Sequence, residues 1–343
     1  EEYARSHDPS VQSVTVSVVS SLEHILIITD NGNVVPETRP LSEITVHVVV
    51  GAGNKRESAR HTYGGRYDIA RAMRDNYWQA VTREAIDTAR QRLIAKSCPG
   101  GKQTVVLGPG WTGILLHEAI GHGYEGDFRW RGLSAYRKRI GQVVANPYVT
   151  VVDNGTIADA RGSLTVDDEG TPTGCTTLIE EGRCVRFMES RQSALMNGTS
   201  VTGNGRRQNP LHVPQTRMTN TYMLPGPHDP EEIISDTKKG IYMDQFGGGS
   251  VDIIQGQFVF SSSVAYPIRD GRILRDEPLK GATISGRGTQ VLAGIDRVGT
   301  DSELDPGRGS CGKQGQTVPV GVGMPTVRIQ GLLVGGDEIE GGL

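Results

Sequence analysis

Beyond residue 142 the sequence consists mainly of short segments rich in β-branched residues, and this pattern constrains the fold more than any other feature. Turn sequences lie between these segments at residues 153–155 (Asp-Asn-Gly), 181–182 (Glu-Gly) and 270–271 (Asp-Gly), and such sequences favour hairpins. The chain also contains 46 glycines among its 343 residues, whereas aromatic residues make up only 5%. This composition is typical of a turn-rich β protein, so we predict a large, mainly antiparallel β domain.

The first hundred residues have a different pattern, in which strands precede one long helix. Residues 14–19, 25–28 and 44–50 are predicted strands, with a hairpin turn at residues 30–33 and a polar loop at 51–65. Residues 67–96 carry apolar side chains every four positions and predict a helix that stops at residues 98–101. A second helix is predicted at residues 229–239. The expected fold class is α+β, with an α/β portion at 1–100 and a mainly β domain at 101–343.

Charge, hydropathy and cysteine content indicate which partners and which cellular compartment to expect. The net charge of −3 gives no electrostatic reason to expect nucleic acid as a partner. No apolar run approaches the roughly 20 residues of a membrane span, so no membrane partner is predicted. The four cysteines form no CxxC pair, which indicates a reducing compartment, and we predict a cytoplasmic protein. Because the chain opens on Glu1 rather than Met, its first residues do not decide targeting.

Two histidines five residues apart, His117 and His122, form the most informative local motif, with Glu118 directly after the first. Histidine is a common metal ligand, and a glutamate beside a ligand histidine can act as base for a metal-bound water. In a regular α-helix, however, positions i and i+5 diverge by roughly 140°. Both imidazoles can reach one metal only if the helix widens or breaks between Ala119 and Gly123. Without further ligands, a helix with incidental histidines is the simpler interpretation.

A third metal ligand has several candidates in the sequence. Cys311 lies in a glycine-flanked turn with Lys313 nearby to favour the thiolate, although a buried loop cysteine is the simpler interpretation from the residues alone. His212, His228 and the acidic residues remain alternatives. A set of two histidines and a cysteine would favour zinc. Glu125 and Asp127 are candidates for residues that orient the ligand histidines without binding the metal themselves.

Two further segments are candidates for substrate binding. Arg206 and Arg207 follow a glycine-rich turn and are expected either to bind a substrate carboxylate or to lie on the surface. Gly247, Gly248 and Gly249 begin a segment, residues 247–253, that either forms a flexible loop or lets another backbone approach closely.

Six sequence blocks together resemble the TldD/PmbA family, also described as modulators of DNA gyrase. The blocks, in chain order, are LLHEAIGHGYEGD (115–127), VDDEGTP (166–172), TGNGRR (202–207), RMTNTY (217–222), FGGG (246–249) and CGKQGQ (311–316). The resemblance implies a TldD/PmbA-like fold and a zinc metallopeptidase with one Zn²⁺ per catalytic subunit, so residues 101–343 are expected to be the metal-binding catalytic domain. It places the metal ligands at His117, His122 and Cys311, and the catalytic glutamate at Glu118. Since this chain has the HExxxH motif, it resembles the catalytic, TldD-like subunit.

The same resemblance carries expectations about substrate and partners. The family is thought to act on unfolded peptides held through their backbone, and strand addition at residues 247–253 would provide this. A dimer is expected, formed with a PmbA/TldE-like subunit or with a second copy. Family members begin with an N-terminal α/β segment that the sequence lacks, so residues 1–100 are expected to be the remainder of a longer domain. The rival hypotheses are a non-catalytic, zinc-stabilised partner subunit and a protein associated with DNA or gyrase.

Overall fold

The computed structural model describes residues 1–252, 256–336 and 338–339. The helices are α1 (Glu2–His7), α2 (Ile69–Arg74), α3 (Tyr77–Ile94), α4 (Ile114–Ala119), α5 (Gly126–Trp130), α6 (Arg191–Asn197), α7 (Pro230–Ser235) and α8 (Gly288–Gly294), with 3-10 helices at Gly110–Gly113 and Gly121–Tyr124. The first strands are β1 (Val11–Ile28), β2 (Val34–Ala52), β3 (Lys55–Gly65), β4 (Lys96–Ser97), β5 (Pro99–Leu107), β6 (Val151–Asn154), β7 (Cys175–Glu180), β8 (Arg183–Cys184), β9 (Gly205–Arg206), β10 (Gln215–Thr216) and β11 (Asn220–Met223). The remaining strands are β12 (Lys239–Asp252), β13 (Gln257–Arg269), β14 (Arg272–Ile273), β15 (Leu279–Lys280), β16 (Thr283–Arg287), β17 (Ile295–Val298), β18 (Glu303–Leu304), β19 (Ser310–Lys313), β20 (Gln316–Pro319), β21 (Gly321–Met324), β22 (Val327–Gly335) and β23 (Glu338–Ile339).

The N-terminal part is an antiparallel sheet of β1, β2 and β3, and α3 packs against it. Apolar side chains of β2, such as Val46 and Val48, share a buried cluster with Val81 and Ala85 of α3. The predicted loop at residues 51–65 is wrong, because β3 occupies most of it. The polar side chains of β3 are stabilised by α3: the ring nitrogens of His61 lie 3.1 Å from Glu84 and 2.9 Å from Thr88.

The predicted helix at residues 67–96 is two helices in the structure. Asp68 begins α2 by accepting a hydrogen bond from the backbone amide of Arg71. Asn76 then adopts a left-handed conformation with φ of 56°, which ends the run before α3 begins. The helix predicted at residues 229–239 is shorter than expected, because β12 already begins at Lys239.

The larger part of the chain is built around a closed ring of five strands. The order of strands around the ring is β12, β5, β22, β16 and β13. The ring is closed by pairing between β13 and β12. Only the β12–β5 pairing in this ring is parallel. The buried side chains Leu115 and Leu116 of α4 belong to the same apolar cluster as residues of the ring, so this short helix is fixed by the main core.

A second sheet and a separate hairpin complete the fold. Six strands are ordered β18-β21-β11-β6-β7-β8, and β19 and β20 form a separate two-stranded sheet. The predicted turns at 181–182 and 270–271 join β7 to β8 and β13 to β14, with positive φ at both positions of each turn. The turn at 153–155 is not a tight hairpin, because residues 155–174 separate β6 from its partner β7. The predicted α+β class is confirmed, and we keep the division into residues 1–100 and 101–343 as a proposal.

Candidate metal centre

A break in the helix after Ala119 brings the two histidines together. His117 lies in the last turn of α4, and His122 lies in the following 3-10 helix. Ile120, between them, has φ of −127° and ψ of −56°, outside regular helical values. The two imidazole rings are consequently 5.0 Å apart between centroids, at 82° to each other. The predicted break between Ala119 and Gly123 is confirmed.

Close packing explains the glycines that flank His122. A Cβ at position 121 would lie 2.2 Å from the Met218 sulfur, and one at position 123 would lie 2.7 Å from the ring of Tyr136. Neither glycine has a positive φ. Both positions therefore require glycine because no space is left for a side chain.

Cys311 completes a buried group of three potential metal ligands. It lies on β19, and its Sγ is 3.5 Å from His122 Nε2. Ligand atoms of His117, His122 and Cys311 all lie within 4.8 Å of one another. Both ring nitrogens of His117 are buried and bond to no described group, which suits a ligand that binds a metal. A donor set of one thiolate and two imidazoles fits zinc.

The charges within this group favour the thiolate form of Cys311. Burial would raise the pKa of Cys311, but the imidazoles of His117 and His122 hold it well below its usual value. Burial would likewise lower the pKa of His122, but Glu125 and Cys311 raise it well above its usual value. The sulfur therefore has thiolate character, the form that binds metals.

Glu125 contacts the His122 ring, and Lys313 in turn contacts Glu125. Oε2 of Glu125 lies 2.9 Å from His122 Nδ1, which leaves the other ring nitrogen directed towards Cys311. Lys313 donates hydrogen bonds to Glu125 at 3.0 Å, to Asp127 at 2.8 Å and to the carbonyl of Thr216 at 2.8 Å. Asp127 thus reaches the histidine only through Lys313.

Lys313 does not have the partner that the sequence predicted. The sequence suggested that its charge would favour the Cys311 thiolate, but its ammonium group is bound by Glu125 and Asp127. Burial raises the pKa of Glu125, and Lys313 and then His122 lower it to about 2. Burial raises the pKa of Asp127 despite the same lysine. Lys313 is therefore the counter-ion of two buried carboxylates.

Replacing Lys313 with Met is expected to lower the free energy of unfolding by about 3–5 kcal/mol, because it leaves two buried carboxylates without their cation. Urea unfolding of the metal-free protein measures this change. Lys239→Met is the matched control, since Lys239 is an exposed residue at the start of β12. Equal losses of stability in both variants would contradict the role of Lys313.

Glu118 lies at the edge of the ligand group and lines a small cavity. Its side chain is 22% exposed, and its Oε2 is 3.8 Å from His122 Nε2. The cavity has a volume of about 20 Å³, which is room for one water molecule. Tyr136, Val251 and Arg287 also line it. No sequence motif pointed to Tyr136 or Arg287, because only the fold brings these segments to Glu118.

The glycine segment of β12 lies beside the same cavity. β12 pairs with β5 only over residues 241–243, so from Gly247 to Val251 the described strands pair with one of its edges, through β13. A Cβ at position 249 would lie 2.1 Å from the ring of Phe260, which explains the glycine there. Val251 of this segment lines the Glu118 cavity, whereas Ile253, the end of the predicted substrate segment, lies outside the described residues.

The two candidate arginines do not join this site. Arg206 and Arg207 line a different cavity, next to β1 and β20. Arg206 is fully buried, and its terminal nitrogens donate to the carbonyls of Met218 and Pro319. His212 and His228, the other histidines considered as ligands, are likewise absent from the cluster.

Comparison with known proteins assigns the chain to a family. A family model described as the PmbA/TldA metallopeptidase C-terminal domain matches residues 100–336, and one for the central domain matches residues 1–93. The chain belongs to the PmbA/TldD metallopeptidase family. The resemblance seen in the sequence is therefore confirmed, and with it the class of metal-dependent peptidases.

Relatives of this PmbA/TldD chain carry names of the same class. It is 45% identical over 337 residues to a metalloprotease TldD homolog of Haemophilus influenzae, covering 97% of this chain and 70% of that protein. It is 33% identical over 246 residues to a zinc metalloprotease TldD homolog of Saccharolobus solfataricus, covering 71% and 54% respectively. Crystalline TldE from Thermococcus kodakarensis has the same fold, with a TM-score of 0.77 at 17% identity, covering 97% of this chain and 71% of that one. No helix among the described residues is long and apolar enough to cross a membrane.

Proposed function

We propose that this chain is a zinc-dependent peptidase that hydrolyses unfolded peptides, with Glu118 as its general base. The observation that carries the proposal is the convergence of His117, His122 and Cys311 within 4.8 Å, beside a partly exposed glutamate. These three residues would hold one Zn²⁺. The name of the Saccharolobus relative supports zinc as the metal.

The residues divide the chemical work between holding the metal and moving a proton. When bound, zinc supplies a Lewis acid that activates water and polarises a peptide carbonyl. Glu118 accepts the proton of the attacking water and returns it to the leaving amine. Glu125 fixes the orientation of the His122 ring, and Lys313 keeps Glu125 charged.

The shape of β12 supports a peptide substrate bound as an added strand. Its edge from Gly247 to Val251 offers backbone groups that no described strand uses, and Val251 places that edge beside the Glu118 cavity. Strand addition reads the main chain and tolerates many side chains, which fits an unfolded substrate. Gly248 is exposed, and a Cβ built there would meet no described atom within 4 Å, so a substrate backbone can approach closely.

Tyr136 adds a hydrogen-bond donor to this mechanism. Its hydroxyl is buried and bonds to no described group, and its ring lines the cavity that Glu118 lines. Burial, together with nearby Cys184, raises the pKa of Tyr136 well above its usual value, so the hydroxyl stays protonated. In the proposed reaction it donates to the oxygen on which negative charge develops.

Replacing Tyr136 with Phe is expected to lower kcat for peptide cleavage about 10²-fold, because one donor to the developing charge is lost. KM and zinc content should change little. Tyr148→Phe serves as the control, since Tyr148 is 43% exposed and does not line the cavity. An unchanged kcat in Tyr136→Phe would remove this residue from the mechanism.

We further propose a cytoplasmic dimer, formed with a TldE-like subunit or with a second copy. The fold shared with TldE of Thermococcus supports two related subunits. The rival hypothesis, a non-catalytic zinc-stabilised subunit, predicts zinc without hydrolysis even when the partner is present. The DNA- or gyrase-associated alternative lacks electrostatic support, given the net charge of −3, and predicts salt-dependent DNA binding.

One experiment separates these functions. Zinc content and cleavage of an unfolded peptide are measured on the same preparation, with and without a TldE-like subunit. We expect stoichiometric zinc and hydrolysis that a chelator abolishes. Stoichiometric zinc without hydrolysis in both mixtures would favour the non-catalytic subunit, and absence of zinc would refute the proposal.

A further inference from the structure

A second cavity, remote in sequence from the histidine motif, lies between the β1–β2 hairpin and the segment after β9. Its volume is about 430 Å³, enough for an anion or a larger molecule that carries one. Val318 and Pro319 of β20 form one wall, and Val318 pairs with Cys311 in the neighbouring strand. The charged residues that line it are Arg39, Arg66, Arg206, Arg207, Glu23 and Asp168. The cavity therefore contains more positive than negative side chains.

The buried carboxylate in this cavity already has partners. Asp168 accepts from Arg39 Nη1 through Oδ1 at 2.6 Å and from the backbone amide of Arg207 through Oδ2 at 2.8 Å. The other nitrogens of Arg39 donate to Glu37 and to the carbonyl of Val166. Arg39 and Asp168 are thus paired with each other, and neither makes an ion pair or hydrogen bond with Arg66 or Arg206.

The charges of Arg206 and Arg66 are poorly compensated. Arg206 donates to two carbonyl oxygens, which carry no net charge, and burial followed by repulsion from Arg66 lowers its pKa to about 9. Arg66 has a buried Nε without a partner, and its guanidinium makes no ion pair with any described residue. Burial and then the charge of Arg39 lower the pKa of Arg66 to about 10.

Glu23 and Arg207 complete the electrostatics of the cavity. Glu37 and then the exposed Glu23 of β1 attract Arg66, yet neither forms an ion pair with it within 4.0 Å. The side chain of Arg207 has no hydrogen bond or ion pair among the described residues. Two guanidinium groups without partners, Arg66 and Arg207, therefore line one cavity next to a buried third, Arg206.

We propose that this cavity is an anion-binding site that holds a phosphate or carboxylate group between Arg66 and Arg207. A planar guanidinium binds either oxyanion through two parallel hydrogen bonds, and a buried cation without a counter-ion gains most from such a partner. The charge of Arg206 strengthens the site without contacting the ligand, because carbonyls occupy its terminal nitrogens. The site is independent of the metal, and its existence does not depend on the peptidase proposal.

Calorimetric titration of the full chain tests this site with inorganic phosphate and, separately, with succinate, at constant ionic strength maintained with chloride. We expect saturable binding of at least one probe. Binding of phosphate alone assigns the site to phosphate groups, and binding of succinate alone assigns it to carboxylates. Saturable binding of neither probe would overturn the proposal.

Variants locate the binding within the cavity. Arg66→Met and Arg207→Met are each expected to lower the affinity for the probe about tenfold or more, because each removes a charge-assisted contact. Arg60→Met is the matched control, since Arg60 is an exposed residue of β3 outside the cavity. Arg207→Met remains decisive if Arg66→Met fails to fold. Equal affinity in Arg207→Met and Arg60→Met would overturn the assignment.

Discussion

Replacing Glu118 with Gln is expected to lower kcat for peptide cleavage by about 10²–10⁴-fold, while zinc content stays unchanged. The amide keeps the size of the side chain but cannot accept the proton of the attacking water. The ligand group does not include Glu118, since the three converging atoms belong to His117, His122 and Cys311. Steady-state kinetics on an unfolded peptide and elemental analysis of the same sample measure both quantities.

A matched control separates this effect from a general loss of charge. Glu180→Gln changes an exposed glutamate at the end of β7 and should leave kcat unaltered. Full activity in Glu118→Gln with zinc still bound would show that Glu118 is not the base. A parallel loss of zinc would instead indicate that Glu118 takes part in holding the metal.

Replacing Cys311 with Ala is expected to weaken zinc binding more than about 100-fold and to abolish cleavage at limiting zinc. Loss of a group that merely supports a ligand typically costs 10–100-fold, so the loss of a ligand should cost more. A 100-fold weaker site also removes about 2.7 kcal/mol of zinc-linked stability, because bound metal stabilises the folded state by mass action. Competition with a chelator measures affinity, and thermal unfolding with and without zinc measures the linked stability.

Cys175→Ala is the control for this variant. Cys175 is an exposed thiol at the start of β7, whereas Cys311 is 2% exposed. Its zinc affinity and zinc-dependent stability should match those of the unmodified chain. Stoichiometric zinc of unchanged affinity in Cys311→Ala would remove this residue from the ligand set.

The local part of the candidate site was accessible from the sequence. The spacing of His117 and His122 required a helix break, because a regular helix would direct the two rings apart, and the structure has that break at Ile120. The alternation of short strands and turns predicted the mainly antiparallel domain for a similar reason. In both cases neighbours along the chain carry the information.

Two predictions of secondary structure were wrong because they used only the local sequence. Residues 51–65 were interpreted as a loop because they are polar and contain glycine, yet residues 55–65 pair with β2 as β3, and His61 of this strand contacts Glu84 of α3. The long helical pattern at 67–96 is interrupted by one left-handed residue, Asn76. Tertiary contacts and backbone conformation at single residues outweigh the average propensity of a segment.

The sequence by itself determined the family, the α+β class and the pair of histidines that must leave a regular helix. The tertiary structure decided which distant groups meet that pair. Cys311 approaches His122 across 189 residues, and Lys313 of the same strand neutralises Glu125 and Asp127. These contacts depend on how the five-stranded ring and the β19–β20 hairpin pack. The spacing of residues along the chain does not predict them. The exposed backbone edge of β12 beside Glu118 has the same origin.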